Sequence, residues 1–200
     1  MAVWLVRAGS KGEGEAACLE SGSAIIGFDA VPDLSSAKDW NEVRAIVAAT
    51  DPTASANRIG TVAGQLWAFA LAMQPGDIVA MPLKRVGKIA LGKVTGPYRY
   101  VAISDGNHHT RPIEWIKSDV PRSQFGQDLL NSLGAYLTVC EIRRNDAESE
   151  CRATARRQAW TRAGTETGPR SGRLTVSKYT PDSGAYRVEN SITCCSGVSS

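Results

Sequence analysis

Apolar residues in the first 73 positions recur at two different periods. Short runs rich in β-branched residues at 2–7 and 23–29 end in glycine or proline loops, which predicts two strands. Apolar side chains at three- and four-residue spacing predict amphipathic helices over 38–49 and 54–73, and a shorter helix is expected over 15–22. This part of the chain is therefore predicted to combine two strands with two or three helices.

From Asp77 onwards the pattern changes to short runs that are typical of strands. Pro75 and Gly76 stop the preceding helix, and residues 84–87 form the turn of a predicted hairpin. The expected strands cover residues 77–83, 87–94, 97–103, 108–117 (interrupted at Pro112) and 135–142. Five or six short strands with two or three helices at one side predict an α+β fold with a small curled or closed sheet.

The character of the chain shifts near residue 146. Residues 1–150 hold 15 Lys/Arg against 17 Asp/Glu, a net charge of −2, whereas residues 151–200 hold 8 against 3, a net charge of +5. The second segment is rich in Arg, Ser, Thr and Gly, a composition that buries too little apolar surface to offset chain entropy. We therefore expect a folded domain over 1–146 and a basic, disordered or weakly ordered tail over 147–200.

Several classes of protein are disfavoured by composition. No run approaches the ~18 apolar residues of a membrane span, and the N-terminal residues do not resemble a secretory leader. The five cysteines are scattered without a C-x-x-C pair, and neither G-K-[ST] nor H-E-x-x-H occurs. We expect a cytoplasmic protein that has no membrane partner, no metal and no cofactor.

Seven stretches in a fixed order carry a resemblance to a known family. They are "VWLVRAG", "IIGFDAVPDLS", "AGQLWAF", "QPGDIVAMP", "IALGKVTGPYRY", "HTRPIEWI" and "NSLGAYLTVCEI". In order and spacing they resemble the N-terminal domain of Mrr-like restriction endonucleases, which looks like a member of the PUA/EVE/YTH-like superfamily. The resemblance covers residues 3–146.

The resemblance implies a PUA/EVE-like curled β-barrel that recognises nucleic acid, often through a modified or flipped base in an aromatic-lined pocket. Relatives continue into a nuclease domain with an acidic and lysine core of the type D…(D/E/Q)-x-K. After residue 150 the acidic residues are only Glu166, Asp182 and Glu189, and none is followed two positions later by lysine. The hypothesis is a truncated or frame-shifted reader without its own catalytic half, for which a nuclease partner would act in trans.

Stacking on aromatic side chains, together with hydrogen bonds to the base edge, can offset the cost of unstacking a base. The candidate aromatic residues near the rims of the predicted barrel are Trp4, Phe28, Trp67, Tyr98 and Tyr100. Trp4 and Phe28 lie in apolar runs, so the alternative for both is a place in the core. Trp67 follows Gln65 at the edge of a helical apolar stripe, where it can stack on a ligand or widen the core face.

Five polar residues complete the candidate site, and one of them is Gln65 beside Trp67. Arg7, Arg58 and Arg111 are candidate phosphate contacts, and the alternative for the first is a solvated arginine at a strand end. Asp29 can accept a hydrogen bond from a base amino group or cap the following turn. His108 and His109 are adjacent, so in a strand they point to opposite faces and cannot share one catalytic site.

The tail arginines leave two alternatives open. The tail residues Arg152, Arg156, Arg157 and Arg162 recur near helical spacing, and they form either a basic face for phosphates or a solvated linker.

The leading functional hypothesis is a non-catalytic reader of DNA, with RNA as an alternative, in a restriction-type defence system. The alternatives are an Mrr-like endonuclease acting on modified DNA and a module that binds a protein or a small ligand.

Overall fold

Strands from both halves of the chain meet in one curled, mixed sheet. A computed structural model describes the backbone of residues 1–103, 106–143 and 146–163, and the side chains of residues 1–102, 108–143 and 146–155. The strands are β1 (Val3–Val6), β2 (Ser23–Ile26), β3 (Ile78–Leu83), β4 (Lys88–Val94), β5 (Arg99–Ile103), β6 (Gly106–Pro121) and β7 (Val139–Glu141). The expected α+β class with a curled sheet is confirmed, and among the described residues the sheet has seven strands.

Five α-helices and two short helical turns accompany the sheet within the described residues. The α-helices are α1 (Glu15–Glu20), α2 (Trp40–Thr50), α3 (Ala56–Trp67), α4 (Gln127–Leu133) and α5 (Ala147–Ala163). A π-helical turn (Ala68–Ala72) extends α3, and a 3₁₀ turn (Arg122–Gln124) follows β6. Side chains of Asp39 and Ser55 cap the N-termini of α2 and α3 by accepting backbone hydrogen bonds.

The strand order is β2-β6-β4-β3-β1-β7, and β5 also pairs with β6. The pair β1–β3 is parallel and the others are antiparallel. β6 pairs with β2 and β5 along its first part and with β4 from Ile113 onwards, where the register shifts twice between Ile89 and Gly92. Such irregularities bend a strand and increase its twist, which curls the sheet into a half-barrel.

The predicted interruption of β6 at Pro112 is wrong. Pro112 pairs with Ser23 at the end of β2, and its carbonyl accepts a hydrogen bond from Thr95 N at 3.0 Å. The next residue, Ile113, donates to Gly22 O and begins the pairing with β4. A residue without an N–H is tolerated because it lies where the strand changes partners.

The strands β1 and β3 are buried on both faces. Alternate side chains of β1 point into two different cores. Trp4 and Val6 join the cluster beneath α2 and α3, whereas Val3 and Leu5 join the cluster beneath α4 and α5. Sequence analysis did not predict α4, although Leu129 and Leu133 lie four residues apart on its buried side. β7 is also shorter than the strand expected over 135–142.

The segment expected to be disordered or weakly ordered from residue 147 onwards begins with a helix, α5. Ala147, Cys151 and Thr154 are buried and recur at helical spacing on the face that meets the second core. Because the buried side chains of α5 are small, the apolar pattern of the sequence does not predict this helix. The side chains of Arg156, Arg157 and Arg162 and all residues from 164 onwards lie outside the described residues, as does the remainder of the predicted tail.

The Asp77 carboxylate joins the start of β1 to the end of the α3 extension. Its Oδ1 accepts from Ala2 N at 2.8 Å, and its Oδ2 accepts from Trp4 Nε1 at 2.9 Å and Gln74 N at 3.0 Å. Gly76 adopts φ +100°, which lets the chain turn directly from the helix into β3. Burial raises the pKa of Asp77, but these hydrogen bonds outweigh burial and leave the pKa below its usual value.

We predict that Asp77→Ala lowers the free energy of unfolding by about 2–4 kcal/mol, because it leaves buried donors without an acceptor. Asp77→Asn, which keeps one oxygen acceptor, should lie between the wild type and the alanine variant. Urea unfolding followed by tryptophan fluorescence measures the effect. Asp128→Ala, at an exposed position in α4, is the matched control, and an equal loss in the control would contradict the prediction.

Candidate functional site

The segment Gly27–Asp29 follows β2 and separates two surface pockets. One pocket of about 310 Å³, here the Arg58 pocket, lies between this segment and the helices α2 and α3. The other, of about 350 Å³, here the His108 pocket, lies between the same segment and the loop that follows β1. Asp29 lines both pockets, so the two are neighbours on either side of this segment.

Phe28 has an unusual backbone conformation, with φ +90°. This left-handed region is sterically unfavourable for an aromatic residue and costs on the order of 1–3 kcal/mol unless the surroundings hold it in place. Val31 N donates to Phe28 O at 2.8 Å and closes the turn. Strain of this kind concentrates at ligand-binding segments, so it marks the loop between β2 and α2 as a candidate binding element.

The Arg58 pocket combines an apolar wall with a few polar groups. Its lining residues are Phe28, Asp29, Ala30, Val31, Val47, Thr50, Asp51, Ala54, Arg58, Ile59 and Val62. Arg58 lies in the first turn of α3 and is exposed, whereas Phe28 is half-buried against the core beneath α3. An aliphatic and aromatic lining with few polar groups, at the small end of the usual volume range of ~300–1,000 Å³, is typical of a site for a small ligand.

The His108 pocket contains an acidic and imidazole pair. His108 Nδ1 lies 3.0 Å from Asp29 Oδ1, with side-chain exposures of 13% and 61%. A carboxylate only accepts hydrogen bonds, so the hydrogen of this contact is assigned to Nδ1. Glu13 also lines the pocket, where its carboxylate accepts from the backbone N–H groups of Ser10 and Lys11.

His109 supports the strained loop from below. It is fully buried, and its Nδ1 lies 2.8 Å from Tyr98 Oη, which accepts from Leu34 N at 3.3 Å. Burial raises the pKa of Tyr98 to about 12, so Tyr98 keeps its hydroxyl hydrogen, and the tautomer of His109 sets whether Oη donates to Nδ1 or accepts from it. His109 Nε2 makes no hydrogen bond of good geometry, although the backbone of Phe28 faces the ring.

Arg111 lies on the same inward face of β6 as His109 and holds the π-helical turn. Its guanidinium donates to Phe69 O at 2.7 Å, Ala70 O at 2.9 Å and Gly96 O at 3.1 Å, and the residue is 3% exposed. Burial lowers the pKa of Arg111 to about 10, partly offset by the charge of Asp77. Arg111 lines a third pocket of about 290 Å³ together with Tyr98.

The remaining candidate residues do not line the Arg58 pocket or the His108 pocket. Trp4 is 4% exposed in the core, and Trp67 is half-buried against the same core. Gln65 is buried, and its Oε1 accepts from Thr138 N at 2.7 Å at the start of β7. Arg7 donates to the carbonyls of Leu133, the last residue of α4, and Ala135, and the Tyr100 ring centroid lies 5.1 Å from that of His109.

Three of the ten sequence candidates, Phe28, Asp29 and Arg58, thus come together in one pocket. The inference that His108 and His109 face opposite sides of a strand is confirmed, since one contacts Asp29 and the other Tyr98. Sequence reasoning did not select Asp51 or Glu13 for this site. The glycines around Glu13 signalled a tight loop, but no local pattern indicated that Asp51 would approach Phe28 across the α2–α3 connection.

The chemistry of these pockets favours a neutral ligand with hydrogen-bond donors. Three carboxylates, those of Glu13, Asp29 and Asp51, line the two pockets against one arginine, so an anionic group inside them meets net repulsion. Among the described side chains, no group of three His, Cys, Asp or Glu is placed to hold a metal ion. Within the same residues, no helix has the length and apolar composition that crossing a membrane requires.

Comparison with known proteins gives one finding. A family model described as "Domain of unknown function (DUF8426)" matches residues 4–132. That segment begins within β1, ends within α4 and contains all residues that line the Arg58 pocket and the His108 pocket. No similar curated protein was found. No similar solved structure was found.

The buried position of His109 predicts a pH dependence of stability. Burial lowers its pKa in the folded protein below the ~6.5 of an unfolded histidine. The resulting stabilisation is present above about pH 6.5 and is lost as the pH falls through the lower folded value, by up to ~1.4 kcal/mol per pH unit. Urea unfolding at pH 7, 6 and 5 should show this decline.

His109→Gln should flatten this decline because it removes the titrating group, even if the variant is less stable at every pH. His108→Gln is the matched control and should keep the decline. A full wild-type dependence in His109→Gln between pH 7 and 5 would contradict the assignment to His109.

Proposed function

This chain belongs to the DUF8426 family, described as a domain of unknown function, and we propose that it is a non-catalytic nucleic-acid reader that holds an unstacked base beside Phe28. The observation that carries the proposal is the meeting of Phe28, Asp29 and Arg58 in one pocket of about 310 Å³. An aromatic ring, a hydrogen-bond acceptor and a cation are the three groups that such a reader needs.

Each of these residues has a distinct role in the proposal. The Phe28 ring stacks on the base, an interaction worth about 1–3 kcal/mol per base. The Asp29 carboxylate accepts from the exocyclic amino group of cytosine or adenine. Arg58 lies exposed at the rim, where it contacts a phosphate next to the unstacked nucleotide.

The strained backbone at Phe28 supports the same assignment. An aromatic residue in a loop ordinarily adopts an extended or helical conformation, so the positive φ of Phe28 is a costly exception that a binding role would explain. His109 and Tyr98 lie beneath the loop and hold it before a ligand arrives. A preformed pocket reduces the ordering cost that binding must offset.

The resemblance to the N-terminal domain of Mrr-like endonucleases supports DNA as the partner and a modified base as the ligand. Apolar residues that line the Arg58 pocket, such as Val47 and Val62, would accommodate a methyl group. In this proposal the domain acts in a restriction-type defence system. RNA remains the alternative nucleic acid.

Fluorescence anisotropy with short DNA strands that are unmodified, methylated or hydroxymethylated at one base tests the proposal. We predict that Phe28→Ala weakens binding of the preferred strand by about 5- to 150-fold, the equivalent of ~1–3 kcal/mol of stacking. Phe28→Gly, which also relieves the strain at φ +90°, should bind as weakly because it lacks the ring. Asp29→Asn should reduce the discrimination between bases with and without an amino group.

Glu114→Gln, at an exposed position on β6 outside both pockets, is the control and should bind like the wild type. Failure of the wild-type protein to bind any of these strands at low salt would refute the reader function. Metal-dependent cleavage of a plasmid by the purified protein would favour the endonuclease alternative instead.

A further inference from the structure

Five basic residues cluster at one end of the half-barrel. They are Lys11, Lys84, Arg85, Lys88 and Arg122, here the basic edge. Four of them are exposed and Lys88 is half-buried. None was selected by sequence analysis, because they are distributed over three separate segments of the chain.

The fold brings these segments together through measured contacts. Lys84 and Arg85 lie in the turn between β3 and β4, and Lys88 begins β4. Lys88 pairs with Pro121, so Arg122 follows directly beside it. On the other side, Lys84 Nζ donates to Ser10 O at 2.5 Å, which holds the loop that carries Lys11 against the hairpin.

Among the described residues, the cations of the basic edge form no ion pairs with carboxylates. In the same part of the chain, ion pairs within 4.0 Å join other partners: His108–Asp29, Arg143–Glu141 and Arg152–Glu148. The nearby Glu15 is buried, and its carboxylate accepts from Lys84 N. The Glu13 carboxylate is held by the backbone of its own loop. The basic edge therefore collects five cations without an ion pair to any described residue, four of them exposed, although residues 1–150 have a net charge of −2.

The same loop connects the basic edge to the pockets. Gly9, Glu13 and Gly14 line the His108 pocket, and Lys11 lies between them in sequence. The His108 pocket shares Asp29 with the Arg58 pocket. A polyanion that follows the basic edge is thereby led to the site where an uncharged base is favoured.

We propose that the basic edge binds the phosphate backbone of the nucleic acid whose base enters the Arg58 pocket. This inference rests on the proposed reader function and adds the surface that supplies affinity. The carboxylates of the pockets repel phosphates, and the cations of the edge attract them. The phosphate backbone therefore binds the basic edge, while the uncharged base enters the pocket. The contact is independent of base sequence and sensitive to salt.

The dependence of binding on salt tests this surface. The triple variant Arg85→Gln, Lys88→Gln, Arg122→Gln leaves Lys84 in its contact with Ser10 and removes three cations. For a single strand, each lost phosphate contact lowers the slope of log K against log[salt] by about 0.7. We expect a slope smaller by about 2 units, with the same loss of affinity for unmodified, methylated and hydroxymethylated strands.

The triple variant Lys38→Gln, Arg44→Gln, Lys93→Gln removes three exposed cations elsewhere and should keep the wild-type slope. If the triple variant of the basic edge does not fold, Arg85→Gln alone, at the exposed tip of a turn, should still lower the slope of log K against log[salt] by about 0.7 units. Thermal unfolding of each variant identifies a folding defect.

The outcomes separate this inference from the proposed function. An unchanged slope in the edge variants, with binding still weakened in Phe28→Ala, overturns the basic edge and leaves the reader intact. A loss of affinity for one modification only would make the edge a base-reading surface and also overturn the inference. Binding of the wild type to vesicles with anionic lipids but to no DNA strand overturns both.

Discussion

Two buried polar side chains on the inward face of β6, His109 and Arg111, support the loop that contains Phe28 and the π-helical turn after α3. His109 lies beneath the loop that contains Phe28, and Arg111 donates to three backbone carbonyls that include two in the π-helical turn after α3. A buried polar group costs free energy unless its hydrogen bonds are made, and a buried arginine is tolerated only when its donors are satisfied. The loop and the turn are therefore coupled to one strand, and displacement of β6 would disturb both.

Charge divides the surface near Asp29 into regions with opposite preferences. The pockets contain more carboxylates than cations, whereas the basic edge collects lysines and arginines from three segments. A nucleic acid has a neutral part and an anionic part within each nucleotide, and the proposed interface meets each with a suitable surface. The near-neutral charge of the first 150 residues is thus a sum of local regions that differ in sign.

Some candidate residues from the sequence line a pocket and others lie in the interior, and their local sequence context explains part of this difference. Phe28 and Asp29 follow a strand that ends in glycine, and such a break places side chains at a rim, where they line a pocket. Trp4 and Gln65 belong to regular elements with apolar neighbours, and the structure gives them internal partners in Asp77 and the start of β7. Local pattern could not separate these cases completely, since an aromatic residue in an apolar run has the same sequence signature in a core and beside a ligand. The small buried residues of α5 gave too weak a signal to predict that helix.

The amino-acid sequence alone determined the alternation of strands and helices up to residue 94, the helix-to-strand junction at Asp77 and the opposite orientation of His108 and His109. These features follow from periodicity and turn chemistry, which act over a few neighbouring residues. Only the tertiary structure decided that Asp51 and Arg58 meet Phe28, and that Lys11 lies beside the β3–β4 hairpin. Such contacts depend on how the sheet curls and on where β6 changes partners, and both result from packing between residues far apart in the chain.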